Sequence, residues 1–318
     1  MTHFDVFNGD ADGICSLLQL RFATPIDSVL ITGVKRDIAL LQRVDAQPGD
    51  EVTALDISAA VNRQSLIALL DRGVKIEYFD HHFAGELPNH AGLEAHLDAS
   101  PGVCTGILVD RYLTGKHRIW AVVAAFGDNL AGPAEQLALS LALDSGRLAD
   151  LRGLGESLTY NAYGDSDADL IAQPSDLYLR LLRSGDPFRF MQTEPVFRRI
   201  SEARRQDLDL AQQTQPDTAL AGATVYVLPD APWSRRVRGA FGNELANHSP
   251  ELAHAILTPN AKGGYTVSVR APLAKGMGAD ALCRQFATGD GRSAAAGIDH
   301  LPGDQMRAFV RLLDQAFP

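Results

Sequence analysis

The chain has 318 residues, 46% of them hydrophobic and 21% charged, the profile of an ordinary globular protein of about two domains. A formal net charge of -10 at pH 7 argues against a protein that coats long duplex nucleic acid through many phosphate contacts. It admits a small anionic substrate held by a few local cations. No apolar run is long enough for a bilayer, and the N-terminus lacks the basic and apolar regions of a signal peptide. Cys15, Cys104 and Cys283 lie far apart, with neither a metal-ligand spacing nor a disulfide framework, so a cytoplasmic protein with no membrane partner is expected.

From the N-terminus, short apolar strands are predicted over 3–8, 28–33, 51–56 and 74–79, and helices over 13–23, 37–44 and 60–71. This alternation is a βαβ signature and implies a parallel sheet. Residues 103–114 and 133–144 continue as helices, and 145–185 read as short helices closing the first domain. The helix predicted over 195–213 carries arginines on several faces, the pattern of a solvated linker helix or of a basic wall. A strand over 224–228, a helix over 240–247, strands over 253–257 and 265–270 and a helix over 279–286 suggest a smaller α/β domain. Arg235, Arg236 and Arg238 are placed just before a helix, where anions are favoured, and Trp233 and Tyr265 are candidates for base stacking.

Four segments at the ends of apolar elements carry the candidate chemistry. Asn8-Gly9-Asp10-Ala11-Asp12-Gly13 follows the first strand, Asp56 closes the third, Asp80-His81-His82 closes the fourth, and Asp128 follows the apolar stretch 119–125. Paired histidines at a strand end can both turn toward one site, and carboxylates beside imidazoles suit a divalent transition metal. In an open parallel sheet the carboxyl ends of the strands share the edge where ligands bind. Each carboxylate alone reads equally well as a loop or capping residue; it is their joint placement that points to a site. Lys35 and Arg36, after the second strand, read either as facing that site or as a solvated loop.

In these residues the chain resembles the DHH phosphoesterase superfamily, which includes RecJ-type single-strand exonucleases, nanoRNases, cyclic dinucleotide phosphodiesterases and manganese pyrophosphatases. The C-terminal strand 265–270 and the segment Gly289 to Gly297 resemble the DHH-associated domain, whose Gly-Gly-His signature reads Asp290-Gly291-Arg292 here. The resemblance covers most of the chain and sets the pyrophosphatases apart. It implies an α/β architecture: a parallel-sheet DHH metal-binding domain over 1–185, an Arg-rich helical linker over 186–217, and a smaller α/β substrate-binding domain over 218–318 across a cleft. It implies one or two divalent ions, manganese with magnesium as the alternative, held among Asn8, Asp10, Asp12, Asp56, Asp80, His81, His82 and Asp128. Asp56, His81, His82 and Asp128 would be catalytic, with Asp56 bridging and Asp80 serving either as a ligand or to orient an imidazole. Arg270, Gly289, Gly291, Arg292 and Ser293 would bind the substrate phosphate, with Asp290 turned away or paired with Arg292.

Two departures stand out. Many relatives carry a histidine ligand at the position of Val6, and RecJ-like members an aspartate at that of Asn8, so one tight and one weaker metal site are expected. The implied activity is metal-dependent hydrolysis of phosphate esters in short nucleotides: oligoribonucleotides, linear dinucleotides or nucleoside phosphates. The alternatives are a RecJ-like exonuclease on single-stranded DNA and a non-catalytic nucleotide-binding sensor. A homodimer is compatible with all three.

Overall fold

Phe4 to Phe7 and Val52 to Leu55 are buried without a break, as strands covered on both faces must be. They lie in β1 (His3–Phe7) and β3, in the series β1, α1 (Ala11–Ala23), β2 (Val29–Ile31), β3 (Glu51–Leu55), α2 (Ala59–Asp71), β4 (Lys75–Asp80) and β5 (Leu93–Leu97). The computed structural model describes all of residues 1–318. The five strands form an all-parallel sheet in the order β2-β1-β3-β4-β5. The chain runs from β1 to β2 on one side and then crosses back to β3 on the other, which opens a crevice at the carboxyl ends of β1 and β3, the place where such sheets bind ligands.

Next come α3 (Thr105–Tyr112), α4 (Arg118–Gly127), α5 (Ala131–Ala138), α6 (Ser145–Ala162), α7 (Pro174–Ser184), α8 (Pro187–Thr193) and α9 (Pro195–Gln212). α1 is buried from Ala11 to Arg21 because it is enclosed by β1, α3, α4, α6 and α7. Its polar residues Asp12, Ser16, Gln19 and Arg21 are buried along with its apolar ones, so the helix has no solvent face. Leu66, Leu69 and Leu70 of α2 pack with Phe4, Val6, Val52 and Ile76. The opposite face of β1 carries a buried ion pair. Asp5, in the middle of β1, is fully buried and ion-paired with Arg21 of α1, whose Nε donates to Oδ2 at 2.9 Å, while Ser28 Oγ donates to the same oxygen at 2.6 Å.

The remaining elements are β6 (Thr218–Ala219), β7 (Ala223–Val227), α10 (Pro232–His248), β8 (Ala253–Asn260), β9 (Gly264–Arg270), α11 (Ala279–Cys283), β10 (Gly289–Gly291), β11 (Ala295–Pro302) and α12 (Met306–Ala316). Their strands form a second sheet in the order β10-β11-β9-β8-β7-β6, in which only β7 and β8 are parallel. Val225, Leu257, Val267, Ile298, Phe309 and Leu313 form its core. The chain divides into the units Met1–Glu202 and Ala203–Pro318. No helix is long and apolar enough to cross a membrane.

Several sequence expectations change. The helix predicted over 37–44 is one short turn of 3-10 helix, Leu40–Arg43. Residues 145–162 form one long helix, capped by Asp144, whose carboxylate accepts from the Arg147 N–H. α10 begins eight residues earlier than predicted, with Pro232 in its first turn, where the missing N–H costs nothing. Arg235, Arg236 and Arg238 therefore lie within a helix and not before it. Arg235 pairs with Asp230 and Arg236 with Asp207, while Arg238 is buried against Thr258. Trp233 packs against the apolar cluster of Val237 and Phe241.

Candidate metal centre

The carboxyl ends of β1, β3 and β4 deliver three of the four predicted segments to one edge of the first sheet. Asp10 caps α1: its Oδ1 accepts from the N–H groups of Asp12 at 2.9 Å and Gly13 at 3.1 Å, an arrangement typically worth about 1 kcal/mol. Gly13 must be glycine, since a Cβ there would lie 2.2 Å from Asn8 O. Asp56, one residue beyond β3, adopts φ 59°, a left-handed conformation that costs energy for any residue with a Cβ. Its N–H donates to Phe79 O at 3.0 Å, which ties the turn to the next strand. Asp128 is reached differently: it is the C-cap of α4, not the end of a strand.

His81 is the focus of the cluster. Its Nδ1 faces the Val103 carbonyl at 2.9 Å. A carbonyl only accepts, so Nδ1 carries the proton and Nε2 is left as a lone-pair donor. That nitrogen lies 3.4 Å from Asp56 Oδ1, 3.8 Å from Asp12 Oδ2 and 3.9 Å from Asp128 Oδ2. His82 Nδ1 is 2.7 Å from Asp80 Oδ1 and 3.9 Å from Asp56 Oδ1. Asp56, His81 and His82 thus offer ligand atoms within 4.8 Å of one another. Asp80 is fully buried; one of its oxygens holds His82 and the other has no hydrogen-bond partner.

The N-terminus of α3 supplies donors that the sequence patterns do not announce. Thr105 N–H donates to Asp12 Oδ2 at 2.8 Å and Gly106 N–H to Asp12 Oδ1 at 2.7 Å, while the Thr105 hydroxyl donates to Asp56 Oδ1 at 3.2 Å. A helix N-terminus favours negative charge for the same reason it favours anions. Position 106 requires glycine: a Cβ there would meet Ala124 Cβ at 2.4 Å and Asp12 Oδ1 at 3.2 Å.

The electrostatics are those of a centre short of positive charge. Burial, with Asp128 and Asp10 beside it, raises the Asp12 carboxyl above its ordinary range against the pull of His81. Burial, then Asp12 and Asp10, holds Asp56 well above it. Burial alone would lower His82, but its hydrogen bond to Asp80 leaves it raised. A divalent cation would favour the ionised carboxylates and relieve their mutual repulsion. Two imidazoles with carboxylate oxygens form a donor set suited to such an ion, and the fit is good around His81, with Asp12, Asp56, Asp128 and His82 as the ligand candidates.

Two of the expected ligands are engaged otherwise. Asn8 Oδ1 accepts from the Asp10 N–H at 3.2 Å and its Nδ2 donates to Lys35 O at 3.1 Å, so the amide braces the loop. Lys35 forms an ion pair with Asp10 Oδ2.

In the second unit, Arg270 directs Nε to Asn243 Oδ1 at 2.7 Å and Nη1 to Ser268 Oγ at 2.9 Å. Gly289 N–H donates to Phe286 O, and a Cβ there would lie 1.7 Å from Cys283 O. That glycine serves close packing and does not leave its N–H for a phosphate. Gly291, with φ 139°, enters the tight hairpin in which Arg292 and Ala295 exchange backbone hydrogen bonds. Arg292 and Ser293 are exposed at its tip. Asp290 lies beside Arg284, 3.4 Å from its Nε.

Neither the family models nor the curated proteins include a match to this chain. Solved structures match it along almost its whole length. A manganese-bound exonuclease RecJ superposes with a TM-score of 0.63 at 17% identity, covering 100% of this chain and 91% of that one. The DHH domain of a member of the s1p family of ribosomal proteins gives 0.72 at 14% identity, covering 99% and 86%. A pGpG-specific phosphodiesterase from Vibrio cholerae gives 0.56 at 13% identity, covering 99% of each chain. The chain has the fold of the DHH-domain proteins.

Proposed function

We propose that this chain is a metal-dependent phosphoesterase that hydrolyses phosphate esters of short nucleotides. The observation that carries the reading is the His81 Nε2 lone pair facing Asp56, Asp12 and Asp128 at 3.4 to 3.9 Å. Asp12, Asp56, His81 and Asp128 hold a divalent ion, manganese or magnesium, and His82 is either a further ligand or a phosphate contact. When bound, such an ion would activate water and neutralise phosphoryl charge. The protein's part is positioning. Val103 O fixes the His81 ring, Asp80 fixes that of His82, and the N-terminus of α3 fixes both oxygens of Asp12. The strained turn at Asp56 aims its carboxylate at the same point.

Short substrates are supported by the net charge of -10, which gives little basis for a long electrostatic track. They are also supported by the likeness to a pGpG-specific phosphodiesterase. Arg292 and Ser293, exposed on their hairpin, are proposed to contact a substrate phosphate together with Arg270. A second reading, a non-catalytic nucleotide sensor, has the Lys35–Asp10 ion pair in its favour.

The test is turnover after chelator treatment and manganese addition, on short RNAs, linear and cyclic dinucleotides, nucleoside bisphosphates and a length series of single-stranded DNA. Hydrolysis that peaks at a few nucleotides and vanishes in His81→Ala is expected. Efficiency that climbs steadily with DNA length would favour an exonuclease, and nucleotide binding without turnover would favour the sensor.

A further inference from the structure

Metal-dependent phosphoryl-transfer sites often use two ions roughly 3.5–4 Å apart. In this chain the second place does not fit a metal. The carboxylate oxygens on that side of the cluster are Asp10 Oδ2 and Asp128 Oδ1, and the Lys35 ammonium lies against both, ion-paired with the first and 3.9 Å from the second. Asp10 Oδ1 is committed to the helix cap. Asn8 brings no charge, and its oxygen accepts from the Asp10 N–H. Both histidines of the cluster lie on the other side: His81 and His82 are each within 4 Å of Asp56 Oδ1.

Lys35 is not a wandering surface side chain. Its backbone N–H donates to Ala162 O at 2.9 Å, its carbonyl accepts from Asn8 Nδ2 at 3.1 Å, and its ammonium lies 5.8 Å from the centre of the Tyr163 ring. The side chain is 27% exposed, and the two carboxylates it meets are 1% and 7% exposed. Asp128 is divided between the two halves, Oδ2 toward His81 and Oδ1 toward Lys35.

Resting on the phosphoesterase reading above, we infer that this is a mononuclear centre in which the Lys35 ammonium takes the place of the second metal ion. A fixed ammonium supplies one positive charge and three N–H donors without exchanging with solvent. It neutralises Asp10 and Asp128 and presents donors to a phosphoryl oxygen, while the His81 side alone holds metal. Asn8 is the matching change, since an aspartate there would add a negative charge beside a single ammonium.

The experiment is a manganese titration of the chelator-treated full chain, read by electron paramagnetic resonance and by metal content after gel filtration. One equivalent per chain with an uncoupled six-line signal is expected. Two equivalents with an exchange-coupled signal would overturn the inference and leave the phosphoesterase reading intact; no bound manganese would overturn both. Reductive methylation followed by peptide mass mapping gives a second readout on the unaltered protein. Lys35 should stay protected with and without manganese, and labelling of Lys35 on manganese saturation would show that the ion displaces it. In Asn8→Asp/Lys35→Ala, stoichiometry should rise from one equivalent to two. A folded variant that still binds one would overturn the assignment of Lys35 as the group that excludes the second ion.

Discussion

Replacing Asp56 with asparagine is expected to stabilise the metal-free first unit while abolishing its response to metal. Asparagine tolerates the left-handed φ of 59° at this position better than most residues. It also keeps an oxygen for the Thr105 hydroxyl, so the change is close to removal of a charge alone. Asp56 and Asp12 approach the same His81 nitrogen at 3.4 and 3.8 Å, so those oxygens are at most about 7 Å apart. At an effective dielectric constant of about 20, two charges at that distance repel by roughly 2 kcal/mol. Asp10 adds to the repulsion, while His82 and Lys35 reduce it, leaving a net gain of about 1–2 kcal/mol, or roughly 2–8 °C in melting temperature. The sign follows from linkage. Burial and the neighbouring carboxylates raise the Asp56 pKa in the folded state, so the native state binds its proton more readily than the unfolded chain. Wild-type stability therefore falls as pH rises from the unfolded value through the native one. The gap between variant and wild type should widen as pH rises through the raised native value and close as pH falls toward the usual carboxylate range. Calorimetry on chelator-treated proteins across this range measures it. Added manganese at a hundredfold over its dissociation constant should stabilise wild type by about 2.7 kcal/mol and the variant by far less. A metal-free variant that is less stable than wild type across the whole range, or equal metal-induced shifts, would rule out charge repulsion at Asp56 as the cause.

Three further perturbations test the supports of the site. Asp80→Asn should reduce metal affinity or turnover ten- to hundredfold, the usual cost of losing a group that orients a ligand imidazole, with little change in melting temperature; isothermal titration with manganese checks it. Gly106→Ala should destabilise by roughly 1–3 kcal/mol, because its Cβ would press on Ala124 and on Asp12 Oδ1, and should weaken metal binding as well; denaturant unfolding and the same titration read both effects. Arg21→Met should cost about 3–5 kcal/mol by leaving Asp5 charged and unpaired inside β1, measured as a lowered denaturation midpoint, and Asp5→Asn/Arg21→Met should recover much of that loss.

The parallel sheet was legible because its strands are short buried runs alternating with helical periods. That Asp10, Asp12, Asp56, Asp80, His81 and His82 come together was legible because they stand at or just beyond strand ends, and strand ends in such a sheet share an edge. β5 escaped notice because Leu93–Leu97, LEAHL, is a partly exposed edge strand without an apolar run. α12 buries Phe309 and Leu313 fully in the second core, a contact only the fold reveals. The Asp12 clamp could not be read from residue types, because its donors are backbone N–H groups of Thr105 and Gly106, which any residue but proline supplies. Lys35 was ambiguous for a different reason: a lysine after a strand is usually solvated, and only the fold shows that its stem leads to Asp10. Glycines misled in the second unit, where Gly289 answers to the packing of Cys283.

Carboxylates from three loops and a helix end are forced together at 0–7% exposure, an arrangement that burial and like charge both oppose. The fold meets that opposition locally with neutral dipoles: two N–H groups on Asp12, a cap on Asp10, a hydroxyl on Asp56. Dipoles of this kind hold geometry without cancelling net charge, so the cluster still favours a cation. On one side the chain supplies that cation itself, as Lys35, pinned through its own backbone. On the other it supplies the His81 lone pair, with that ring's proton directed away to Val103, and a second imidazole held by Asp80. The asymmetry between an ammonium held on Asp10 and a lone pair held toward Asp56 is what makes a metal on the His81 side the consistent completion of this electrostatic arrangement.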